Sequence, residues 1–204
     1  MDKLTIPAHI LADSLAGVST CADSGKSGFN ALHSVFFKYS ADSGALDIVT
    51  SDRYTLARAR IGGENLELSD GFPPVLIHLD DIKRIQATIK ALPKHLKRVP
   101  VSFEIDGDKV TFTCYGVKLE FLAMSDSFPK FETLFPMSGK YDNGDAVTEI
   151  RFNPANLAKL AKIPAAKNAQ VEFSFNGPNK AALATIKHEF IEWVIAIMPM
   201  RVPD

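Results

Sequence analysis

An apolar run near the end of the chain has the residue types that best suit binding chemistry. Residues Trp193–Arg201 are largely apolar, and their β-branched and aromatic side chains predict a strand that is apolar on both faces. A free terminus normally frays, so we expect an apolar one to dock on the rest of the chain. The run is far too short to span a bilayer, which needs about 20 such residues.

Two further stretches are expected to meet this tail and to build a peptide-binding groove with it. Thr50–Ala57 joins two predicted strands through a polar turn, and Ser127–Pro136 is an extended connector bracketed by prolines. Short peptide motifs bind by placing a few aliphatic or aromatic anchors in an apolar cleft, and methionine provides a wall that adapts to several partners. The alternative interpretation is that these residues are ordinary core beneath a loop.

Patterns that would indicate catalysis or a metal site are weak. Gly25–Ser27 lacks the upstream glycine of a phosphate-binding loop. Cys21 is interpreted as a structural thiol, and Asp80 and Asp81 as complements of a helix dipole. The histidines are scattered without the spacing of metal ligands: His9, His33, His78, His95 and His188. We therefore expect a protein that is not an enzyme and that uses no cofactor or metal.

The composition is sufficient for a sizeable core, and the net charge indicates no particular class of partner. The chain has 204 residues, of which 46% are hydrophobic, and a formal net charge of −1. Cys21 and Cys114 lie far apart without paired spacing, which argues against a disulfide framework and favours a reducing cytosol. Met1–Pro7 lacks the order of a signal peptide, and no segment has the length of a membrane helix. These features predict a soluble intracellular protein.

The predicted elements recur three times as a strand, a helix and three strands. The first unit has a helix after Pro7 and the strands Leu4–Ile6, Leu32–Tyr39, Leu46–Thr50 and Thr55–Ile61. The second has the helix Leu79–Leu92 and the strands Val75–His78, Val101–Ile105, Lys109–Cys114 and Val117–Met124. The third has a helix from Asn153 and the strands Glu149–Phe152, Gln170–Phe175, Ala181–Thr185 and Phe190–Met198. Phe103–Gly107 aligns with Phe173–Gly177, as expected for an internal repeat.

Three units predict an α+β fold with helices on one face of antiparallel sheets, and they leave one unit over. Such units normally pair helix against helix, so the first two satisfy each other. The third would expose Leu157 and Leu160 to water and leave open sheet edges. We expect another copy of the chain to cover it.

Three segments together resemble the bacterial sliding clamp, the β subunit of DNA polymerase III. Asp47–Ala57 resembles the family's strand, Thr-Asp-Gly turn and Leu-Ala segment. Asp126–Pro136 resembles its inter-domain connector, and Ala196–Arg201 its Val-Met-Pro-Met-Arg ending. The order and spacing of the three segments agree with the family, and the similarity covers most of the chain.

The resemblance implies a shortened clamp. Residues 1–126 resemble a complete clamp-like domain of two units, residues 127–147 a connector, and residues 148–204 half of a further domain. Family clamps close a ring of twelve such units from two chains of six. Three units in each chain therefore imply a DNA-clamp fold that forms a ring, with a homotetramer as the arithmetic expectation.

By resemblance, eleven positions line the family's peptide pocket. They are Leu32, Ser51, Arg53, Tyr54, Leu56, Pro129, Leu134, Ala196, Met198, Pro199 and Met200. The family's glycine in the turn is Arg53 here, its histidine is Tyr54 and its arginine is Thr55. We expect Arg53 to narrow the cleft and to change which peptides bind. The chain also continues past Arg201 with Val202–Asp204.

The charge distribution agrees with a pore around DNA. Leu79–Arg98 carries +4 and Asn153–Gln170 carries +3, so the rest of the chain carries −8 within the total of −1. The expected DNA-facing residues are Lys26, Lys83, Arg84, Lys90, Lys94, Lys159, Lys162 and Lys167. Two observations favour the alternative, an ordinary solvated face: the first helix offers only His9 and Asp13, and Lys26 lies in a loop.

The resemblance implies a processivity factor that encircles duplex DNA without reading its sequence. Its partners would be duplex DNA, a DNA polymerase, other proteins with clamp-binding peptides, and copies of itself; a clamp loader is left open. The expected location is a bacterial cytoplasm with no membrane association, and a phage origin is left open. The first alternative is a clamp mimic, which binds clamp-binding peptides or another clamp without encircling DNA. The second is an unrelated structural protein built from repeats.

Overall fold

The computed structural model describes residues 2–25, 27–69, 72–135, 149–164 and 169–200. These residues form antiparallel sheets of five and seven strands and three α-helices. The observed mixture of antiparallel sheets and helices confirms the predicted α+β class.

The first unit follows the predicted order closely. Its elements are β1 (Asp2–Pro7), α1 (Ala8–Ser19), β2 (Ser34–Ser40), β3 (Ala45–Ser51) and β4 (Thr55–Gly62). Helix α1 starts directly after Pro7, whose extended backbone fits the N-cap. Its buried Ile10, Leu11, Leu15 and Val18 recur at helical spacing, which gives the helix one apolar face.

The second unit repeats this order after a short additional strand. Its elements are β5 (Glu67–Leu68), β6 (Val75–His78), α2 (Leu79–Ala91), β7 (Pro100–Asp106), β8 (Lys109–Cys114) and β9 (Val117–Leu122). Helix α2 carries Asp80 and Asp81 in its first turn, where carboxylates complement the helix dipole. It ends at Ala91 because Pro93 disfavours helical backbone at Leu92.

The third unit keeps three strands but differs from the prediction at its start. Its elements are α3 (Pro154–Leu157), β10 (Glu172–Ser174), β11 (Ala182–His188) and β12 (Ile191–Ile197). Residues 149–152, predicted as a strand, form none. Asn153 caps α3 as expected, but the helix has only four residues and is followed by a 3-10 turn. Pro164 limits the helical run, and so short a helix gains little from cooperativity.

The first two units interlock by exchanging their leading strands. Strand β1 pairs with β7 of the second unit, and β6 pairs with β2 of the first. The five-stranded sheet therefore has the order β5-β1-β7-β8-β9. A unit with its own four-stranded sheet was expected, but each sheet instead contains a strand from the other unit. Helices α1 and α2 also contact each other, and both contribute buried residues to one core.

The third unit extends the sheet of the first. Strand β12 pairs antiparallel with β4 over its whole length, and the sheet order is β10-β11-β12-β4-β3-β2-β6. Trp193 on β12 is fully buried under α1. A Cβ atom at Gly17 of α1 would overlap the indole ring, so this close approach requires glycine.

The apolar face of the third unit is partly covered by its own chain. Trp193, Ile195 and Ile197 join the main core, and Leu160 packs against that core. Leu157 remains 36% exposed. The expectation of a bare apolar face is therefore met in part: Leu157 is exposed, whereas Leu160 is half-buried and α1 covers strand β12. Self-association needs a further justification.

Within the described ranges, no helix combines the length and the apolar character needed to cross a membrane.

Candidate peptide groove and basic helix face

The turn between β3 and β4 is held rigidly by its own side chains. The Oδ1 atom of Asp52 accepts hydrogen bonds from the backbone N–H of Tyr54 at 3.1 Å and of Thr55 at 2.7 Å. Ser51 Oγ accepts from the N–H of Arg53 at 3.1 Å and donates to the carbonyl of Thr55 at 3.0 Å. Arg53 adopts a positive φ of 79°, as expected at a position where the family has glycine. The turn presents Tyr54, which is 64% exposed.

A lysine of the third unit binds this turn from across the sequence. Lys159 Nζ donates to Asp52 Oδ2 and, at 2.8 Å, to Thr55 Oγ1. Burial opposes ionisation of Asp52, but the hydrogen bonds from Lys159 and Thr55 outweigh it and lower the pKa of this carboxyl. The Lys159 side chain is only 16% exposed and its charge is already paired. Its predicted place on a DNA-facing surface does not fit this geometry, because the ammonium group faces the protein.

The tail runs from β12 alongside the turn. The N–H of Met198 donates to the carbonyl of Tyr54 at 2.9 Å, and the N–H of Met200 donates to the carbonyl of Arg151 at 2.7 Å. These bonds fix the backbone and leave the side chains of Met198 and Met200 43% and 54% exposed. The tail is therefore docked as predicted, with its methionines open to solvent.

A pocket of about 460 Å³ lies where the turn, the tail and α3 meet. It is lined by Tyr54, Asn153, Asn156, Met198, Pro199 and Met200. Four of these were predicted from the resemblance. The two asparagines were missed, since Asn153 was assigned only to helix capping. We call this cavity the tail pocket.

The connector covers the neighbouring part of the predicted groove. Phe128 stacks on Phe36 of β2 with ring centroids 5.3 Å apart, and Phe131 and Phe135 are buried. The phenylalanines pack against a sheet surface that includes Leu56 and Ala196. Leu134 is half-buried in the same cluster. We call this set, Phe36, Val49, Leu56, Phe128, Phe131, Leu134, Phe135, Ala181, Leu183, Val194 and Ala196, the connector cluster.

The eleven predicted groove residues thus fall into distinct environments. Tyr54, Met198, Pro199 and Met200 surround the tail pocket. Leu32, Ser51, Leu56 and Ala196 are buried, and of these Leu56 and Ala196 lie under the connector. Arg53 and Pro129 are exposed and Leu134 is half-buried. The Arg53 guanidinium lies 5.3 Å from the ring centre of Phe29, a residue that sequence reasoning missed.

A buried arginine lies beneath the connector. The Arg58 guanidinium stacks 4.6 Å from the ring centre of Phe135 and lies within 3.9 Å of Asp47 and 3.8 Å of Glu192. Its burial lowers its pKa from the usual value. Arg60 forms a two-bond pair with Asp47 at 2.8 and 2.7 Å, which raises the pKa of Arg60. The cation–π contact and these charges hold Phe135 on the sheet.

The basic side chains of the second unit lie on the solvent side of α2 and just beyond it. Lys83 and Arg84 are exposed but pair with Asp80 and Asp81, each at 2.7 Å. Lys97 instead donates to the carbonyls of Ile89 and Lys90 at 2.8 Å, which caps the helix end. The exposed residues of this face with the predicted role are Lys83, Arg84, Lys90 and Lys94, the last on a 3-10 turn after the helix.

The remaining basic candidates have separate positions. Lys162 is exposed on the 3-10 turn after α3. Lys26 and Lys167 lie outside the described residues. Lys90, Lys94 and Lys162 form no ion pair with a described carboxylate, so they are the unpaired cations of the predicted set within the described ranges.

A cavity of about 570 Å³ separates α1 from α2 and is bordered by His9, Asp13, Lys90 and Lys97. Burial lowers the pKa of His9 and raises that of Asp13. Helix α1 contributes no lysine or arginine to this surface. The helix face is therefore basic along α2 and not along α1, as the sequence predicted.

Solved structures with the same fold are DNA polymerase sliding clamps. The chain matches the sliding clamp from Pseudomonas aeruginosa with a TM-score of 0.78 and 14% identity over 98% of its length. It matches the β subunit of DNA polymerase III from Thermotoga maritima with a TM-score of 0.73 and 16% identity over 100% of its length. The corresponding Borrelia burgdorferi protein, solved in complex with a natural product, gives a TM-score of 0.76 and 11% identity over 98%.

These matches confirm the predicted sliding-clamp fold. The chain spans 66%, 66% and 63% of the length of the three clamps. No protein-family model and no curated protein sequence matches the chain. The likeness is therefore one of structure.

Proposed function

We propose that this protein is a processivity factor of the sliding-clamp type, without enzymatic activity, that closes around duplex DNA with copies of itself. It would tether a DNA polymerase or another DNA enzyme through a peptide bound at the tail pocket. The observation that carries the proposal is the sliding-clamp fold over nearly the whole chain. One fold can serve several functions, so the peptide, DNA and ring parts each require a test.

The tail pocket supports peptide binding by its lining. Tyr54, Met198 and Met200 expose large apolar surfaces around one cavity, and their backbones are fixed by hydrogen bonds. Such a site suits one or two aliphatic or aromatic anchors of a short linear motif, and the methionines adapt to different anchors. Asn153 and Asn156 add amide groups that can hydrogen-bond the peptide backbone.

The buried members of the predicted groove are not part of the lining of the tail pocket. Leu56 and Ala196 are neighbours in the β4–β12 pair and lie under the connector phenylalanines. Arg53, Pro129 and Leu134 would form the rim, with Leu32 and Ser51 holding the adjoining loop and turn. A peptide that reaches Leu56 would first have to displace part of the connector cluster. The proposed site is therefore smaller than the eleven-residue groove of the resemblance.

The basic helix face supports loose binding to the DNA backbone. Lys83, Arg84, Lys90, Lys94 and Lys162 present exposed positive charge, and Lys26 and Lys167 remain candidates on sequence grounds. Asp80 and Asp81 neutralise part of this positive charge by pairing with Lys83 and Arg84. We infer contacts with phosphates that carry no sequence information and weaken with salt. A ring would hold the duplex by its topology despite this weak affinity.

An open sheet edge supports self-association. Among the described strands, β9 is the last strand of the five-stranded sheet, and its Val117 and Leu122 are exposed. In the first unit the equivalent strand, β4, is covered by β12. An apolar edge strand is a ready surface for pairing with another chain. We propose that copies associate through such edges, with four chains supplying the twelve units of a ring.

Retention on circular and linear DNA tests this function. Chains are mixed with nicked circular plasmid at a dilution that separates copies, then concentrated so that assembly can trap the circle without a loader. At high salt, a closed ring should stay on the circle and slide off the same plasmid after linearisation. Equal loss from both forms would contradict encirclement.

A second candidate is a clamp mimic that binds clamp-binding peptides without surrounding DNA. The specific observation in its favour is α1, which brings Asp13 and no basic residue to the helix face. Such a protein would bind a peptide at the tail pocket and would show no difference between circular and linear DNA. The two functions are therefore separated by the same DNA experiment.

A further inference from the structure

We propose that His33, His78 and Asp80 bind one divalent transition-metal ion of the Zn²⁺ class, which braces the loop 23–33 against α2. One possible ligand atom of each residue lies within 4.8 Å of the others. The two imidazole rings are 4.9 Å apart at their centres and inclined by 69°. Three nitrogen and oxygen donors thus converge at the junction of two strands and a helix.

The backbone at this junction holds the donors in place. Strands β2 and β6 pair in the register Ser34 to His78, which places His33 and His78 at the same end of the sheet. The carbonyl of His33 accepts from the N–H of Leu79 at 3.1 Å, which ties it to the start of α2. Asp80 follows in the first helical turn. The donors are therefore largely positioned before an ion arrives.

The hydrogen bond of His33 prepares it as a ligand. Its Nδ1 atom is 2.7 Å from the carbonyl oxygen of Asp23. A carbonyl can only accept, so Nδ1 carries the proton and Nε2 of the neutral ring keeps its lone pair. Metal-binding histidines commonly donate their other N–H to a backbone carbonyl in this way.

His78 and Asp80 complete the donor set. The Nδ1 atom of His78 accepts a long hydrogen bond of 3.3 Å from the N–H of Asp80, and Asp80 Oδ2 lies 3.7 Å from the same nitrogen. Coordination through this nitrogen would replace that hydrogen bond, because the atom has a single lone pair. Lys83 occupies the other carboxylate oxygen, Oδ1, at 2.7 Å. Oδ2 is thus the oxygen directed towards the imidazoles. The lysine and the helix dipole both oppose a cation, so binding must come from direct coordination.

The donor chemistry selects the class of ion. Two imidazoles and one carboxylate suit Zn²⁺ and neighbouring transition metals, whereas Mg²⁺ and Ca²⁺ prefer oxygen ligands throughout. The side chains of His78 and Asp80 are 38% and 64% exposed, so water can supply a fourth ligand.

Binding would steady a loop that reaches the peptide site. Asp23 closes this loop by accepting from the N–H of Gly25 at 2.8 Å and from Ser27 Oγ at 3.0 Å. The same loop carries Phe29, whose ring contacts Arg53 of the turn beside the tail pocket. An ion at His33 would therefore fix one end of the segment that positions Phe29. The site itself depends on neither DNA nor peptide binding.

Equilibrium dialysis of tag-free protein against Zn²⁺, followed by metal analysis, tests the site. Wild-type protein should retain one Zn²⁺ per chain. His33→Ala and His78→Asn should each weaken retention at least tenfold; asparagine at 78 keeps a side-chain acceptor for the helix cap. The matched controls His95→Ala and Asp81→Asn should retain Zn²⁺ as wild type does. Absence of stoichiometric Zn²⁺, or equal retention by all variants, would overturn the proposal.

Thermal unfolding adds a readout that a misfolded variant cannot imitate. Zn²⁺ should raise the Tm of wild type and of both controls, because the ion binds the folded state. At the same Zn²⁺ concentration it should raise the Tm of His78→Asn by clearly less, while circular dichroism confirms that this variant is folded. An equal rise in folded His78→Asn would exclude these ligands.

Discussion

The first two units and the third unit share one sequence pattern but are held in the molecule differently. The first two exchange strands β1 and β6 and bury α1 against α2. The third is attached through the β12–β4 pair, through Trp193 under α1 and through Lys159 on the turn. A repeated sequence pattern thus specifies which helices and strands form. The contacts that each helix or strand makes with other units decide which parts of the molecule unfold together. The tail pocket lies where the third unit meets the first.

Removing the indole at Trp193 should have the largest effect on how firmly the third unit is held. Trp193→Ala empties a fully buried site and should lower the free energy of unfolding by about 3–5 kcal/mol. Because the indole joins β12 to α1, the third unit should loosen first, detected by proteolysis within residues 169–200 below the main urea transition. Phe173→Ala, a partly exposed site in the same unit, is the control and should cost much less.

The comparison would fail if Trp193→Ala unfolded all three units in one transition. Phe103→Ala provides the contrast, since its ring packs on Phe37 and Phe112 inside the interlocked pair. That variant should lose both sheets together. Identical proteolysis patterns for the two variants would show that the third unit has no separate stability.

Breaking the Lys159 contact should have a smaller effect that depends on pH. Lys159→Met leaves Asp52 partly buried without its cation, and should cost about 1 kcal/mol at pH 7 after allowance for solvent screening. The folded pKa of Asp52 is lowered, so its contribution is present above the unfolded value of about 4 and is lost as pH falls through the folded pKa. Urea unfolding from pH 7 to pH 3 should therefore show that the difference in free energy of unfolding between Lys159→Met and wild type shrinks below about pH 4.

Lys162→Met is the control for this loss. Lys162 is exposed one turn away, so its variant should match wild type across the pH range. A constant gap between Lys159→Met and wild type down to pH 3 would show that methionine acts through packing and not through the carboxylate.

Truncating side chains of the tail pocket should affect peptide binding more than folding. Tyr54→Ala and Met198→Ala remove exposed apolar surface, so stability should change by only about 0.5 kcal/mol. The affinity for a labelled peptide with leucine and phenylalanine anchors should fall about tenfold, as measured by fluorescence anisotropy. Tyr115→Ala removes an equally exposed ring outside this pocket and should bind as wild type does. Equal losses in all three variants would place the peptide elsewhere.

Charge reversal on the second unit should have the smallest effect, a change of a few fold in retention on DNA. Lys90→Glu with Lys94→Glu should weaken retention on nicked circular DNA and reduce its dependence on salt, because phosphate contacts release counterions. Lys180→Glu, an exposed lysine of the third unit, is the control. Retention as strong as wild type in the double variant would remove α2 from the DNA-facing surface.

The sequence predicted elements better than it predicted their partners. Spacing placed α2 and the strands of the first two units within a few residues of the observed bounds. It could not give the exchange of β1 and β6, because periodicity records which face is apolar and says nothing of which strand lies alongside. It also overestimated the third helix, which ends at Leu157; Pro164 disfavours helical backbone only at Ile163 and does not account for this earlier end.

The candidate site was also predicted only in part, because local patterns do not record contacts between distant segments. The resemblance named Tyr54, Met198 and Met200, and the structure brings these three residues together around the tail pocket. It gave Lys159 a DNA-facing role and missed the pairing of this lysine with Asp52, which lies more than half the chain away, a contact that spacing does not encode. The connector phenylalanines and buried Arg58 were also missed, although the alternation of Leu56 with Arg58 along β4 places both on one face.

The mass of the assembled protein tests the central proposal, a ring completed by copies of the chain, most directly. Light scattering coupled to size-exclusion chromatography, with native mass spectrometry as a second measure, should give four times the chain mass of 22.3 kDa. A mass of one or two chains at every concentration tested would contradict the four-chain ring.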